Sequence, residues 1–364
     1  MNIGIDISQA TYTGTGVGRY TIGLVESILD FDTDNKWTFL FFSLRGKLPD
    51  GLTKKIATSR HRFIRIPLPP SILSFLWNTL HLIPVEFFTG PLDLFISSDW
   101  TEPPSTCKKM TVIHDLTYLR YPETVHPTIL STQKKRMHWV MKESTHIIAT
   151  SKTTAQDIES YLHIPHQRIT SIYAGIDAHP STDEQKKTVL TKYGIKLPFI
   201  LAVGKIEPRK NNARLIEAFT NLNMMEWNLV FVGHEGWGAL PNADKNDKVH
   251  FTGFVPDTDL DALYDLCSFF AFPSLWEGFG HPIIEAMKHG KAVITSHVES
   301  LSEVAGGAAL LCDPQSTKSI QDALHAFMTD ERSRDTYGQK GYEHAQQFTW
   351  KRYYEGLSTI LKKI

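Results

Sequence analysis

What most constrains this chain is a rhythm. Short runs rich in β-branched and aromatic residues alternate along its whole length with helix-length amphipathic segments. That alternation builds parallel sheets, because a parallel neighbour is reached through a crossover that is usually a helix. In the first half the strand candidates are Asn2–Ile7, Thr38–Phe42, Phe63–Ile66, Leu92–Ser97, Met110–His114, His146–Thr150 and Ile169–Tyr173. In the second they are Phe199–Val203, Leu229–Val232, Val249–Phe251, Phe269–Phe272, Ala292–Thr295 and Ala308–Leu311. Between the two sets, Asp177–Thr191 is polar, contains Pro180 and lacks strand character, so it reads as an interdomain linker. A chain of 364 residues holds two domains at roughly 150 residues each. The expected fold is α/β, with two Rossmann-like doubly wound domains, residues 1–176 and 177–349, facing one cleft lined by strand-end loops. Residues 350–364 carry a helical apolar stripe, Tyr353, Tyr354, Leu357, Ile360 and Leu361, and are expected to cross back onto the first domain.

Composition narrows the function classes. The 38 basic and 39 acidic side chains nearly cancel, so no global attraction to nucleic acid is expected. Cys107, Cys267 and Cys312 have no metal-ligand spacing and are odd in number, which fits reduced structural thiols rather than a disulfide framework. The start, Met-Asn-Ile-Gly-Ile-Asp-Ile, has no basic region before an apolar run, unlike a signal peptide. The most apolar stretch, Ile72 to Phe88, is interrupted by Asn78, His81, Pro84 and Glu86, too polar for a membrane span. A cytoplasmic protein is the expectation.

Two strand-to-helix loops carry the chemistry. In Phe272-Pro-Ser-Leu-Trp-Glu-Gly-Phe-Gly-His-Pro-Ile-Ile-Glu285, Pro282 suits a first helical turn, and Gly278 and Gly280 permit close backbone approach. The N–H groups of Gly280 to Ile283 are expected to be free and to attract an anion, with Glu277 before the turn and Glu285 inside the first turn. Val203-Gly-Lys-Ile-Glu-Pro-Arg-Lys-Asn211 packs Lys205, Arg209 and Lys210 at a strand end, a set that suits a diphosphate. In the first half, Gly14-Thr-Gly-Val-Gly-Arg-Tyr20 follows a strand and opens a helix. With Arg19 where a glycine is needed it is not G-x-G-x-x-G, which disfavours a nicotinamide cofactor. Arg19 can also be an ordinary exposed arginine. His114-Asp115 ends the strand at Met110–Ile113.

These loops together resemble glycosyltransferase family 4, retaining enzymes of the GT-B fold that use nucleotide-diphosphate sugars. The likeness covers nearly the whole chain, and its most specific part is Glu277 and Glu285 with seven residues between, the family's E-x7-E signature. Lys210 falls on the family's phosphate-loop lysine, while Lys205 stands where many members carry arginine. Arg209 can compensate, which leaves open which cation carries most of the phosphate binding. By this resemblance Glu285 holds the donor ribose and Glu277 lies by the sugar, whose hydroxyls meet the backbone of Gly278, Phe279, Gly280 and His281. The position of His281 is often leucine in the family. Gly204, Gly233, Phe254 and Val255 are expected in loops lining the nucleotide, Gly16, Gly18 and Arg19 beside diphosphate and acceptor, and His114 against the donor sugar.

The reaction so implied moves a hexose, with GDP-mannose leading, to a hydroxyl of a growing and possibly lipid-linked glycan, with no cofactor beyond the nucleotide-sugar co-substrate. The stretch Val112 to Pro122 and the Glu-Pro-Arg-Lys-Asn loop look like those of bacterial mannosyl- and rhamnosyltransferases of surface polysaccharide. A nucleotide-sugar 2-epimerase and a catalytically silent nucleotide-sugar-binding partner are the alternatives. No metal site is expected: Asp32/Asp34 and Asp257/Asp259 form Asp-x-Asp triplets at helix boundaries, where aspartate caps or is solvated. Finally, 126–142 combines Lys134, Lys135, Arg136 and Lys142 with Ile129, Leu130, Met137, Trp139, Val140 and Met141. It reads either as a helix resting on the inner face of an anionic membrane or as a surface helix with its apolar side in the core.

Overall fold

Thirteen strands, all parallel to their neighbours, form two sheets in a computed structural model that describes residues 1–236 and 246–364. The chain divides into two units, Met1–Gly175 with Trp350–Ile364, and Ile176–Thr349.

In the first unit, β1 (Asn2–Asp6), β2 (Lys36–Phe42), β3 (Arg62–Ile66), β4 (Leu94–Ser97), β5 (Lys108–Ile113), β6 (Ser144–Ala149) and β7 (Ile169–Ser171) stand in the order β3-β2-β1-β4-β5-β6-β7. Interior strands such as β4 are buried along their whole length, as expected when helices cover both faces of a parallel sheet. The helix Gly16–Phe31 begins at Thr15, whose hydroxyl accepts a hydrogen bond from Gly18 N at 3.1 Å. The last helix, Trp350–Leu361, buries Tyr353, Leu357, Ile360 and Leu361 against this unit. A Cβ on Gly23 would lie 1.9 Å from the Trp350 ring, and one on Gly175 2.3 Å from Trp350 N. Both positions therefore need glycine. The hydroxyls of Tyr20 and Tyr353 are hydrogen bonded to each other in the buried interface.

In the second unit, β8 (Phe199–Val203), β9 (Asn228–Val232), β10 (Val249–Phe251), β11 (Phe269–Phe272), β12 (Val293–Ser296) and β13 (Leu310–Cys312) run in the order β10-β9-β8-β11-β12-β13. The chain builds outward from β8 on one side, then crosses to β11 on the other. The order thus reverses between β8 and β11, and in a doubly wound sheet the ligand crevice lies outside the carboxyl ends of the strands at such a point.

The segment expected to be a linker is only partly one. Asp183–Tyr193 is a helix, closed at its start by a reciprocal capping box between Thr182 and Gln185 and at its end by Gly194 in the left-handed conformation, φ 63°. Its polar sequence hides it because only Val189 is buried.

Candidate active site

The loops after β8 and β11 meet at the strand-order reversal. Asn211 joins them. It sits at φ 61°, and its buried amide donates to the carbonyls of Pro273 (2.9 Å) and Pro314 (2.7 Å). Leu275 N donates to Arg209 O at 2.8 Å. From β12, Ser296 donates to Ser274 O (2.6 Å) and Thr295 to Phe272 O (3.0 Å). Ser300 donates to Glu277 O at 2.5 Å. The loop bearing Glu277 is thus fixed from both sides by side-chain donors to its carbonyls.

Glu277 is clasped by both cations of the β8 loop. Its carboxylate receives Lys210 Nζ on Oε1 at 2.6 Å and Arg209 Nη1 on Oε2 at 2.6 Å. Arg209 also binds Glu207 Oε1 at 2.7 Å and the Trp276 carbonyl at 2.8 Å. Burial alone would raise the carboxyl's pKa, but Arg209 and Lys210 overcome that and hold Glu277 at about 2. For Lys210 the balance runs the other way: burial lowers its pKa by more than Glu277 restores. Its ammonium also lies 4.7 Å from the centroid of the Phe272 ring. Lys205 is exposed.

Glu285 is carried by the helix that follows the loop bearing Glu277. It is buried, and its Oε2 accepts a 2.8 Å hydrogen bond from the hydroxyl of Tyr264. The helix is His281–Lys288, which puts Glu285 past the first turn, a correction to the expected place. The expected row of free N–H groups is also shorter. Pro282 has none, and Ile283 N donates to Gly280 O at 3.0 Å. Gly280 itself needs its freedom, at φ 86°. Phe279 is buried edge-on against His281, with ring centroids 5.1 Å apart, and Gly278 lies in the same loop.

The remaining loops of this unit are zipped together by backbone bonds. Gly204 N donates to Val232 O (2.9 Å), Ile206 N to His234 O (3.0 Å) and Gly233 N to Gly253 O (3.0 Å). A Cβ on Gly233 would fall 2.1 Å from Gly204 O, so internal packing already requires that glycine. Next to it, Phe254 is exposed and stacked on His234, with centroids 4.7 Å apart and planes 8° from parallel, while Val255 is buried.

In the first unit, His114 follows β5 and stands edge-on to Tyr20, with centroids 4.7 Å apart. Burial lowers its pKa against the opposing pull of Asp99 and Asp115. Gly16 opens the helix that carries Arg19. Gly18 is explained by packing, since a Cβ there would lie 2.2 Å from Tyr12 O.

Both Asp-x-Asp triplets are engaged internally. Asp32 accepts from the Asp34 and Asn35 amides and from Trp37 Nε1 (2.8 Å). Asp259 accepts from Lys192 (2.6 Å) and from the Tyr193 hydroxyl (2.7 Å). The helix Pro127–Glu143 keeps its apolar side in the core through Met137 and Val140. Arg136 departs from the expected basic surface, because it is only 1% exposed and donates to Thr111 Oγ1 (2.5 Å) and Val112 O (3.2 Å). Lys134, Lys135 and Lys142 are exposed.

Sequence reading did not single out Glu207, Asn211, Tyr264 or His289. Asn211, Tyr264 and His289 meet partners far off in sequence or across a helix pair, whereas Glu207 pairs with Arg209 two residues on; the one signal present was Glu207 and Asn211 inside the cationic loop.

Two doubly wound units, with paired glutamates and a cationic loop at the second unit's switch point, define a glycosyltransferase of the GT-B fold. Comparison with known proteins agrees. The model of Glycosyl transferases group 1 matches residues 185–344, and that of Glycosyltransferase Family 4 matches residues 16–179. The chain belongs to this family of glycosyltransferases. O-antigen chain mannosyltransferase B of Escherichia coli is 30% identical over 255 residues, 67% of each chain. O-antigen chain mannosyltransferase RfbU of Salmonella typhimurium is 26% identical over 343 residues, 88% of this chain and 89% of the relative. The match to serotype-specific mannosyltransferase WbdA of Escherichia coli, 32% identical over 219 residues, takes in 56% of this chain but only 27% of that protein. Among solved structures, sucrose-phosphate synthase from Thermosynechococcus elongatus superposes with a TM-score of 0.76 at 16% identity, covering 100% of this chain and 98% of its own. WaaG, a glycosyltransferase involved in lipopolysaccharide biosynthesis, gives 0.72 at 14% identity over 98% of both chains.

Proposed function

We propose that this chain is a retaining hexosyltransferase that moves mannose from GDP-mannose to a hydroxyl of a growing, lipid-linked surface glycan. The observation that carries the reading is the Arg209–Glu277–Lys210 group at the β8/β11 switch point, with Glu285 supplying the second glutamate. The choice of mannose draws support from the names of the relatives. A lipid-linked acceptor draws support from a Campylobacter jejuni relative named as acting on a diphospho-undecaprenol glycan, 28% identical over 210 residues.

In this reading Arg209, Lys210 and Lys205 hold the diphosphate, and Glu285 accepts hydrogen bonds from the ribose hydroxyls. Glu277 and the backbone of Gly278, Phe279, Gly280 and His281 meet the sugar. Gly204, Gly233, Phe254 and Val255 lie along the nucleotide; Gly16, Gly18, Arg19 and His114 serve from the first unit. The bond from the anomeric carbon to the phosphate oxygen breaks, and both its electrons leave with the diphosphate. An acceptor oxygen bonds to the same face of that carbon, and its proton passes to the departing phosphate oxygen. Charge grows on the leaving group, so prepositioned cations lower the barrier. No metal or further cofactor takes part.

Among the described residues no helix is long and apolar enough to cross a membrane. Contact with the inner face of an anionic membrane is part of the proposal, through Lys134, Lys135 and Lys142 of the helix Pro127–Glu143. The neighbouring segment supports it: Lys135 Nζ lies 3.3 Å from Thr79, and Ile72, Phe75, Leu80, Leu82 and Phe87 are exposed. Such a mixture of lysines and apolar side chains suits an anionic lipid surface.

A panel of nucleotide sugars tested for protection against unfolding checks the donor, since a ligand at ~100 times its Kd adds about 2.7 kcal/mol. GDP-mannose is expected to protect best, and then to be consumed only with a glycan acceptor. Conversion without acceptor would make the chain a 2-epimerase, and binding without any turnover a silent partner.

A further inference from the structure

Two helices of the second unit interlock through side chains one turn apart. The helix Asp257–Leu266 presents Asp261, Tyr264 and Asp265 on one face. Opposite them stand Glu285 and, four residues on, His289, which caps the helix His281–Lys288. The His289 side chain is 2% exposed, with Nδ1 2.7 Å from Asp265 Oδ1 and Nε2 3.1 Å from Asp261 Oδ1. A neutral imidazole has a single N–H, whereas two ring nitrogens each facing a carboxylate oxygen require two. His289 is therefore an imidazolium held at both ends. Its ring stacks on that of Tyr264, with centroids 5.4 Å apart and planes 15° from parallel. The Tyr264 hydroxyl in turn donates to Glu285 Oε2.

We propose that His289 is a positioning residue for Glu285: clamped by Asp261 and Asp265, it fixes the Tyr264 ring and so the carboxylate that receives the nucleotide ribose. The inference rests on the ribose role given to Glu285 above. Losing the His289 proton turns one ring nitrogen's lone pair toward a carboxylate. The clamp then opens, Tyr264 loses its support, and nucleotide binding weakens while turnover of bound donor stays the same.

The charged surroundings fit this dependence. Asp265 also accepts from Ser181 N at 2.8 Å and pairs with Lys186 at 3.4 Å from the helix Asp183–Tyr193. The helix Glu331–Ala345 packs on His281–Lys288 from another side, where Gly341 meets Met287. Burial lowers the pKa of His289, but the bonds to Asp261 and Asp265 outweigh it, and the pKa ends above the ordinary 6.5. The weakening therefore falls on the alkaline side of that value.

The test is calorimetric titration of GDP, with UDP in parallel, from pH 6 to pH 9 into the full chain and its His289→Gln, Tyr264→Phe, Asp265→Asn and Glu285→Ala variants. Affinity of the natural chain should fall as pH rises, by on the order of tenfold, the size of one hydrogen bond to a charged group. Tyr264→Phe should lose about as much at every pH. His289→Gln should bind weakly with no step of its own, and subtracting its profile removes the titration of the nucleotide. Asp265→Asn should move the step to lower pH, and it stands in if His289→Gln does not fold. A step that persists in His289→Gln, or that stays in place in Asp265→Asn, overturns the positioning role. If Glu285→Ala binds as well as the natural chain, or neither nucleotide gives heat, the ribose reading fails, and the inference with it.

Discussion

Replacing Glu277 by Gln keeps the shape of the side chain and removes the charge that two cations share. The carboxyl's ordinary pKa of 4.5 falls to about 2 in the folded chain. With Arg209 and Lys210 each at 2.6 Å, that difference corresponds to about 3 kcal/mol of folding stability at neutral pH. Because the folded pKa is the lower one, this stability is fully present above about pH 4.5 and is lost as pH falls through about 2. Lys210 subtracts from the total, since its own burial disfavours its charge. Removing one partner of a buried ion group typically costs about 3 to 5 kcal/mol. Arg209 keeps Glu207 at 2.7 Å, so Glu277→Gln is expected near the low end of that range at pH 7. Urea unfolding followed by tryptophan fluorescence, with Trp276 buried beside the group, measures the loss at pH 7, 4.5 and 2.5. The gap between natural chain and variant should close across the acid limb. A gap that stays constant from pH 7 to pH 2.5 would show that Glu277 is not held ionised by the two cations, and the electrostatic account of this loop would fall.

Further outcomes follow from the same site. Lys210→Ala should lower turnover of saturating donor by up to roughly 10²- to 10³-fold, the typical worth of one prepositioned donor to a developing anion; single-turnover kinetics with normal rates and only weaker donor binding would make Lys210 an anchor instead. Activity should persist in excess chelator, because the loop cations take the place of a carboxylate-bound Mg²⁺; loss in chelator and recovery with Mg²⁺ or Mn²⁺ refutes this. In vesicle flotation, binding to anionic lipid should fall with salt and on neutralising Lys134, Lys135 and Lys142, while zwitterionic vesicles bind weakly. Equal flotation of the triple variant would remove that helix from the membrane proposal.

The sheets were legible in the sequence because parallel strands covered on both faces are nearly continuous apolar runs. Phe199–Val203, Val249–Phe251 and Phe269–Phe272 coincide with the expected runs, and Leu94–Ser97 begins two residues inside one. The helix Asp183–Tyr193 was missed because it buries one side chain and has almost no apolar stripe, although Thr182-x-x-Gln185 is a readable cap. At the site, the loops that bear the chemistry could be found from glycines, cations and glutamates following strands. Contacts between those side chains could not. Nothing in the spacing of Tyr264, Glu285 and His289 says that two helices will press them together, nor that Arg136, in a run of basic residues, will turn into the core.

The clasp on Glu277 also bears on how a donor is received. Arg209 and Lys210 are balanced by Glu207 and Glu277, so the four charges sum to zero before any ligand arrives. In the proposed reading, a diphosphate drawn to the two cations must compete with Glu277 for them. That competition weakens ground-state affinity, yet the carboxylate holds both cations in place, so little reorganisation accompanies the reaction. As the glycosidic bond breaks, the leaving group gains negative charge, whereas Glu277 keeps its one. The balance of attraction therefore moves toward the phosphate during the reaction itself, and interactions that strengthen on the way to the transition state raise turnover rather than affinity. Lys205 is exposed in the same loop, and in the proposed reading it anchors the diphosphate. Its charge acts on the diphosphate before and during bond breaking alike, so Lys205→Ala should weaken donor binding with little change in turnover. This is the reverse of the pattern expected for Lys210, and the same single-turnover measurement separates the two.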